Sequence, residues 1–373
     1  MNILDLLSIP ILNISSSGWE TITIAQRAAD ALSGNSIELT IFFLILCILI
    51  TVSMLAGLGM VLIYAERKIA GHFQCRLGPM RVGWHGTLQA FADVLKLLLK
   101  EDLVPARADK LLHLGAPFLS ILATVLGLAI IPMSPSIQVI DVNIGVVYVT
   151  AITGLGVLGA LIAGWSSNNK WSLLGAMRAG AQLISYELSA TLGILVIVLF
   201  AGSLQLSEII QSQAEGWWIW RAHIVGIIAF FIFLIASTAE LNRTPFDLPE
   251  GESELTGGFH TEYSGLRFAF FFLSEFVNMF VASALVVTLF FGGWMPFHIG
   301  NWEAFNSIMD LIPPAIWFAG KSAFFIFLLM WFRWTFPRMR IDQLMRLEWK
   351  ILLPIGFANI FLASLVILTK FHF

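Results

Sequence analysis

The stretch LTIFFLILCILITVSMLAGLGMVLIY, residues 39–64, contains no charged side chain. A run of about 20 apolar residues is long enough to cross a bilayer as an α-helix. Lipid offers no hydrogen-bond partners, so the backbone of such a segment must satisfy its own polar groups, which a helix does. This stretch therefore predicts a membrane-spanning helix, and it decides the fold class.

Similar apolar runs recur along the whole chain. Of its 373 residues, 58% are hydrophobic and only 12% are charged, and the mean hydropathy is +0.85. This composition is typical of an all-α polytopic membrane protein and argues against a water-soluble fold. A window of about 19 residues predicts eight spans. They cover residues 39–64, 113–131, 142–165, 173–201, 222–240, 267–293, 314–336 and 350–369.

The first 36 residues stand apart from the spans. We expect residues 1–36 to be an N-terminal extension and residues 37–373 to be a single membrane domain. The N-terminus lacks a basic region and a small-residue cleavage pattern, so no cleaved signal peptide is predicted. Within residues 19–33, Ile24, Ala28 and Leu32 are four apart, which predicts a short amphipathic surface helix.

The segment between the first two spans, residues 65–112, contains GTLQAFADVLKLLLKE, residues 86–101. Its apolar residues recur three and four apart, with charged residues between them. This pattern predicts an amphipathic helix at the membrane surface. The apolar positions are Leu88, Phe91, Leu95, Leu98 and Leu99, and the charged ones are Asp93, Lys96 and Lys100.

Lysine and arginine are distributed unequally between the loops. Seventeen of the 21 basic residues fall at the first, third, fifth and seventh loops that the eight spans define. Loops on the cytoplasmic side of a membrane carry an excess of these residues. We therefore predict that the odd-numbered loops are cytoplasmic and that both termini lie on the external side.

An acidic stretch, AELNRTPFDLPEGESELTGGFHTEYSG, residues 239–265, follows the fifth span. It holds six acids and one base, Arg243. A solvated acidic loop is the simplest interpretation. The prolines and leucines between the acids favour a loop that folds inward, where its acids line a wet cavity. The six acids are Glu240, Asp247, Glu250, Glu252, Glu254 and Glu262.

Three ionisable residues are predicted inside spans: Glu187, Glu275 and Lys321. A charge near the bilayer centre costs at least about 2.5 kcal/mol, and such residues commonly mark ion or proton pathways. A purely structural pairing is the alternative, and Lys321 is the candidate intramembrane partner. Closely spaced, buried carboxylates hold protons near neutral pH more readily than isolated exposed ones, so this group is a candidate proton path.

The sequence GLGVLG, residues 154–159, matches the dinucleotide-binding pattern G-x-G-x-x-G. The pattern needs a strand before it and an acid about 20 residues after it, and neither is present. Small residues at Gly156, Ala160 and Gly164 instead predict a face on which another helix packs closely.

The first cytoplasmic loop contains Glu66, Arg67, Lys68, Arg76 and Arg81 around a Gly-Pro turn. Such basic residues often anchor a loop to anionic lipid. The alternative is a docking face for a partner subunit or a polar mouth for an amphiphilic ligand.

The chain has two cysteines, Cys47 and Cys75. Two cysteines alone cannot bind an iron–sulfur cluster or a structural zinc ion. No metal centre is predicted for this chain.

Four segments together resemble one family. They are YAERKIAGHFQCRLGPMRVGWHGTLQAFADVLKLLLKED, AGWSSNNKWSLLGAMRAGAQLISYELS, AELNRTPFDLPEGESELTGGFHTEYSG and FRWTFPRMRIDQLMRLEWKILLP. They are similar to the H subunits of NADH:quinone oxidoreductase, respiratory complex I, called subunit 1 in mitochondria. The resemblance covers residues 39–369 and each predicted cytoplasmic loop, and the N-terminal 36 residues fall outside it.

The resemblance implies a subunit without a redox group of its own. Such subunits form most of the membrane side of a quinone chamber and couple quinone reduction to proton translocation. Quinone is then the substrate, and FMN and iron–sulfur clusters belong to partner subunits. The partners are soluble quinone-site and iron–sulfur subunits on the cytoplasmic side, and small membrane and antiporter-like subunits laterally. The expected location is a bacterial cytoplasmic membrane.

The resemblance also implies roles for particular residues. Arg67 and Asp93 match chamber-lining positions, and Arg76 and Val94 lie in the same motifs. Three positions differ from the residues usual in the family: Val94, Met80 and Glu348. The family usually has glycine where this chain has Glu348. The proton-pathway positions are Glu187, Glu240, Glu250, Glu252, Glu254 and Glu275, with Asp247 in the same loop motif.

Two other classes of protein remain possible from the residues. An ion-coupled secondary transporter also carries acids inside its spans, although the chain has no evident inverted repeat. The membrane subunit of an energy-converting hydrogenase shares such helices without a need for quinone. Co-purification with flavin and iron–sulfur subunits, and quinone-dependent NADH oxidation, would separate these alternatives.

Overall fold

The computed structural model describes residues 14–15, 18–19, 37–135, 137–249, 251–298 and 302–369. Over these residues the fold is helical, with one antiparallel pair of two-residue strands, β1 (Ile14–Ser15) and β2 (Gly18–Trp19). Within the described ranges, eight helical segments are long and apolar enough to cross a membrane, which confirms the predicted all-α polytopic class. Trp19 lies in β2, and the rest of the predicted N-terminal surface helix is outside the described residues.

The eight spans are connected by shorter helices. Two 3₁₀ helices cover Trp84–Gly86 and Gly258–His260, and a π-helix covers Glu348–Leu352. The α-helices are α1 (Ile37–Phe73), α2 (Gln89–Leu99), α3 (Lys110–Ile130), α4 (Gly145–Ser166), α5 (Lys170–Ala201), α6 (Leu206–Gln211), α7 (Trp218–Arg221), α8 (His223–Glu240), α9 (Glu252–Leu255), α10 (Gly265–Phe290), α11 (Glu303–Asp310), α12 (Pro314–Thr335), α13 (Ile341–Leu347) and α14 (Leu353–Leu368).

The first span is longer than predicted. Helix α1 has 37 residues and runs to Phe73, so Glu66 and Arg67 lie on the helix and not in the loop that we expected from residue 65. At 1.5 Å per residue, α1 is about 55 Å long, well beyond the ~30 Å apolar core of a bilayer. Its last turns can therefore be charged and still remain helical.

The predicted surface helix of the first loop is confirmed as α2, Gln89–Leu99. Ala90 is buried against the bundle, whereas Phe91, Leu95 and Leu98 are exposed. An exposed apolar face on a helix that lies outside the bundle is typical of a membrane surface or a subunit interface.

Helices α3, α4, α5, α8 and α10 form the centre of the bundle. The predicted close packing of α4 is confirmed at Gly164, where an added Cβ would lie 2.3 Å from Ala176 Cβ. It is wrong at Gly156, where an added Cβ would meet no atom within 4 Å. The second close contact is at Gly159, against Ser120. Gly156 therefore lines an open space, which the helical period alone does not reveal.

The last span begins earlier than the predicted residue 350. It comprises α13, the π-helix Glu348–Leu352 and α14, and together they cover Ile341–Leu368. The charged residues Arg346 and Lys350 are exposed along this segment. They interrupt the apolar pattern on which the prediction depended.

Candidate functional site

A cavity of about 330 Å³ lies inside the helix bundle. Its wall is formed by α3, α4, α5, α8 and α10, by the helix Gly258–His260 and by one side chain of α12. This volume is near the lower end for ligand pockets and is large enough for several water molecules. Much of the wall is apolar, and three carboxylates interrupt it: Glu187, Glu240 and Glu275. The structure thus brings the predicted proton-pathway acids of three spans to one cavity.

Glu187 lies in the middle of α5, and Glu240 is the last residue of α8. The hydroxyl of Thr153 donates a hydrogen bond to Glu187 Oε1 at 3.3 Å. The two acids are close enough to interact electrostatically. Over the described part of the chain, neither forms an ion pair. Each can therefore take up a proton without breaking an ion pair.

Glu275 is held differently, in a buried network of ion pairs. Arg243 Nη2 lies 3.0 Å from Glu275 Oε1, and Arg243 Nη1 lies 3.0 Å from Glu66 Oε1. Arg333 on α12 also binds Glu66, at 2.5 Å. The Arg243 guanidinium is 2% exposed and stacks over the ring of Phe276. Among the described residues, these ion pairs join two acids and two bases, which makes burial of their charges tolerable.

Arg243 and Arg333 were not among the predicted site residues, and Glu66 was named only in the charged group of the first cytoplasmic loop. One signal was present: Arg243 is the only base among six acids of the stretch 239–265. A lone arginine in an acidic segment is a candidate for a buried partner, because its planar fork can bind two carboxylates at once. Its partner on α1 could not be found from the sequence, since 177 positions separate the two residues.

The loop after α8 folds inward, as predicted for its apolar residues. Leu241, Phe246 and Leu248 are buried, and Gln182 Nε2 donates hydrogen bonds to the carbonyl oxygens of Ala239 and Phe246, both at 2.8 Å. These contacts fix the base of the loop against α5. The carboxylates further along the loop are placed differently.

The prediction that the loop acids line the cavity is wrong for two of them. Asp247 forms an ion pair with Arg338 at 2.7 Å, and Glu254 forms one with Arg178 at 2.6 Å. The Glu254 side chain is 55% exposed. The hydrogen bond and the charge of Arg178 lower the pKa of Glu254. Arg338 and Arg178, which do not line this cavity, bind these two acids.

The other acids of the stretch are separate from the cavity or are not placed. Glu250 lies outside the described residues, and of Glu252 only the backbone, in α9, is described. Asn169 Nδ2 donates a hydrogen bond to Glu262 Oε1 at 2.5 Å, at the far end of the stretch.

The predicted quinone-chamber residues lie where α1 meets α2. Arg67 Nη1 donates a hydrogen bond to Asp93 Oδ2 and forms an ion pair with it. Val94, next to Asp93, is 41% exposed and belongs to the apolar surface of α2. Arg76 lies on the turn after α1 and donates a hydrogen bond to Gln74 Oε1 at 2.6 Å. The structure brings Arg67 and Asp93 together, and Val94 follows Asp93 on α2.

The predicted role of Lys321 as partner of an intramembrane acid is wrong. Its ammonium donates hydrogen bonds to the carbonyl oxygens of Phe291, Gly293 and Met295, at 2.7, 3.1 and 2.6 Å. An ammonium has three donors, and these carbonyls use all three. The lysine also lies over the ring of Trp217 at 4.5 Å. The free carbonyls after α10 solvate this charge, so it needs no carboxylate.

His260 also lines the cavity, outside the spans. Burial lowers its pKa to about 4, so the imidazole is neutral at physiological pH. Its Nδ1 is buried and has no hydrogen-bond partner among the described residues. A neutral imidazole at the cavity wall can accept a hydrogen bond from water or donate one to it.

Comparisons with known proteins agree with this architecture. The profile of the family described as NADH dehydrogenase matches residues 43–364. The chain is 53% identical over 333 residues to the H subunit of NADH-quinone oxidoreductase from Phocaeicola vulgatus, covering 88% of this chain and 93% of that protein. It is 54% identical over 322 residues to the protein of the same name from Bacteroides fragilis, covering 86% and 90%. It is 51% identical over 305 residues to that of Bacillus cereus, covering 82% and 88%.

Proposed function

We infer that this chain forms a quinone chamber and couples quinone reduction to proton translocation. The premise is that the chain belongs to the NADH dehydrogenase family and is an H subunit of NADH-quinone oxidoreductase. Quinone reduction in the chamber changes the charge or the position of the loop that follows α8. This change alters the protonation of Glu187, Glu240 and Glu275. This change in protonation is then relayed to antiporter-like subunits of the complex.

The observation that carries the proposal is a short connection along α1. Arg67, which pairs with Asp93 at the proposed chamber, follows Glu66 directly in the sequence. Glu66 binds Arg243, and Arg243 binds Glu275 at the cavity wall. Two adjacent residues of one helix therefore face the chamber and the buried network. A charge that appears beside Arg67 acts on Glu66 and Arg243 at close range.

The surface around Arg67 and Asp93 suits an amphipathic quinone. The ion pair supplies polar groups for a headgroup, and Val94 and Leu95 supply exposed apolar area for an isoprenoid tail. Arg76, on the turn that follows α1, adds a positive charge at the same end of the helix. We assign the rest of the headgroup site to neighbouring soluble subunits, since this surface is open in the isolated chain.

The same proposal sets partners, cofactors and location. The chain binds no redox cofactor by itself, quinone is the substrate, and FMN and iron–sulfur clusters belong to partner subunits. Those partners contact the basic cytoplasmic loops, and small membrane and antiporter-like subunits contact the lateral faces. The distribution of basic residues supports both termini on the external side. The bacterial relatives support a bacterial cytoplasmic membrane.

The test is a pair of variants in the intact complex, Glu240→Gln and Glu187→Gln. Both keep the shape of the side chain and remove the ability to ionise. We expect each to assemble and to reduce NADH-driven proton uptake by membrane vesicles at least tenfold, which is about 1.4 kcal/mol in the barrier. The two effects will not add, because the acids act as a unit.

Glu208→Gln is the matched control, since Glu208 is exposed on α6 and away from the cavity. It should keep both NADH:quinone turnover and proton uptake. If Glu240→Gln or Glu187→Gln assembles and retains full turnover and full proton uptake, the proposed coupling role is wrong.

A further inference from the structure

A fully buried acid lies outside the cavity, in the π-helix of the last span. Glu348 is the first residue of this helix and is 0% exposed, whereas its neighbours Trp349 and Lys350 are exposed. A single π-helical turn inside an α-helix is uncommon and often occurs at a functional position. The backbone here turns a carboxyl group inward and a tryptophan outward.

Glu348 has one hydrogen-bond partner in the described part of the chain. The hydroxyl of Ser189 on α5 donates a hydrogen bond to Glu348 Oε1 at 2.5 Å. The other oxygen, Oε2, is buried and has no partner there. Tyr186 on the same helix interacts electrostatically with Glu348, but its hydroxyl donates a hydrogen bond to the carbonyl oxygen of Leu344 at 3.1 Å. No ion pair with Glu348 is present among the described residues.

A charged carboxylate is expensive to bury without a cation or several hydrogen-bond donors. One serine hydroxyl does not replace the water that Glu348 would lose. The neutral acid fits the contacts better: Oε1 accepts from Ser189, and Oε2 carries the proton. This arrangement differs from that of Glu275, which has an arginine beside it.

We propose that Glu348 is a proton-binding residue of this protein, separate from the acids of the cavity, and that its hydrogen bond changes during quinone reduction. The second part rests on the proposed function, because it takes the movement of the loop as its cause. The first part depends only on burial and contacts. In the resting protein Glu348 carries its proton.

Helix α5 connects the loop to Glu348. Gln182, Tyr186 and Ser189 are four and three residues apart, so they share one face of α5. Gln182 binds the base of the loop, and Tyr186 packs against Phe246 with ring centroids 5.6 Å apart. Ser189, on the same face, binds Glu348. A shift of the loop against α5 therefore changes the contact between Ser189 and Glu348.

Infrared difference spectroscopy of the intact purified complex, reduced with NADH in the presence of quinone, tests this inference. We expect the wild-type difference spectrum to contain a protonated-carboxyl C=O band that shifts in D2O and is absent in Glu348→Gln. Glu208→Gln is the control. Glu208 also accepts a hydrogen bond from a serine, Ser203, but it is exposed, and its substitution should leave this band in place.

The Ser189→Ala variant keeps the test decisive if Glu348→Gln does not assemble. Loss of the hydroxyl should move the same band to higher frequency without removing it, because the C=O group loses its donor. The inference is overturned if Glu348→Gln leaves the protonated-carboxyl region unchanged, or if Ser189→Ala leaves the band in place. A failure of the proposed coupling role appears separately, as full proton uptake in Glu240→Gln.

Discussion

The cavity and the ion-pair network beside it hold the same chemical group in opposite electrostatic surroundings. At the cavity, Glu187 and Glu240 interact with each other and, within the described residues, with no cation. In the network, Glu66 and Glu275 share the guanidinium of Arg243. All four acids lie in apolar helices, yet only two of them have an arginine that compensates their charge.

The difference changes how easily each acid can exchange a proton. An acid beside an arginine resists protonation more than an acid without a cation, because protonation leaves the arginine with less compensation. An acid without a cation can gain or lose a proton at a smaller electrostatic cost. The network is therefore suited to holding the helices and transmitting a field. Glu187 and Glu240 are suited to easier proton exchange, and Glu275 belongs to both the network and the cavity wall.

The largest expected effect comes from breaking the network at Arg243. An Arg243→Gln substitution leaves Glu275 buried without a cation and removes one of two arginines from Glu66. Removal of one partner from a buried pair costs about 3 to 5 kcal/mol. We expect the amount of assembled complex in membranes to fall to a small fraction of the wild-type level, as measured on native gels.

Arg221→Gln is the control for that substitution. Arg221 also binds a glutamate, Glu215, but this partner is 79% exposed, so its charge is solvated without the arginine. Assembly should be close to normal. Equal assembly of the two variants would show that burial does not distinguish these ion pairs.

An intermediate effect is expected from filling the cavity. An added Cβ at Gly156 meets no atom within 4 Å, so Gly156→Leu places its side chain in the open space. Leucine also favours a helix over glycine by roughly 1 kcal/mol, so folding should not suffer. We expect proton uptake by membrane vesicles to fall about tenfold, because the side chain displaces water between the acids.

The matched variant is Gly115→Leu on α3, where an added Cβ also meets nothing within 4 Å but the residue does not line the cavity. Its proton uptake should equal that of the wild type. Unchanged uptake in Gly156→Leu, with the protein assembled, would argue against proton passage through this cavity.

The smallest effect is expected at the exposed edge, where Arg178 binds Glu254. This pair is solvated, so Arg178→Ala should cost less than about 1 kcal/mol, and added salt should reduce the difference. Arg178 lowers the pKa of Glu254, so its stabilisation is present at neutral pH and is lost as the pH falls below the ordinary glutamate value of 4.5. The thermal midpoint of the complex at pH 7, at low and high salt, is the measurement.

A drop in the midpoint as large as that of a buried-pair variant would contradict this expectation. It would place the Glu254 side chain at a buried subunit interface in the assembled complex. Glu254→Gln should then reproduce the drop.

The spans and the surface helix α2 were predictable because their signal is local. Apolar length decides whether a segment crosses the membrane, and helical spacing of Leu95, Leu98 and their neighbours decides which face is apolar. The end of α1 was not predictable by the same means. Charged residues such as Glu66 and Arg67 stop the hydropathy signal, whereas the helix continues beyond the bilayer to Phe73.

The site was predictable in part. The rarity of charge inside spans identified Glu187 and Glu275, and the acidic stretch identified Glu240. The sequence did not indicate which of these acids has a cation. Lys321 has the charge to pair with an acid, but its ammonium donates hydrogen bonds to backbone carbonyl groups after α10 instead.

The sequence by itself determined the fold class, the number of spans and the set of acids, because each depends on composition or on spacing within one segment. Only the tertiary structure decided which acids meet at the cavity and which are neutralised by arginine. The physical reason is that ion pairing and burial depend on side chains from different helices, such as Glu66 and Arg243, which are 177 positions apart. It also placed Glu348 against Ser189, a contact that no local pattern predicts.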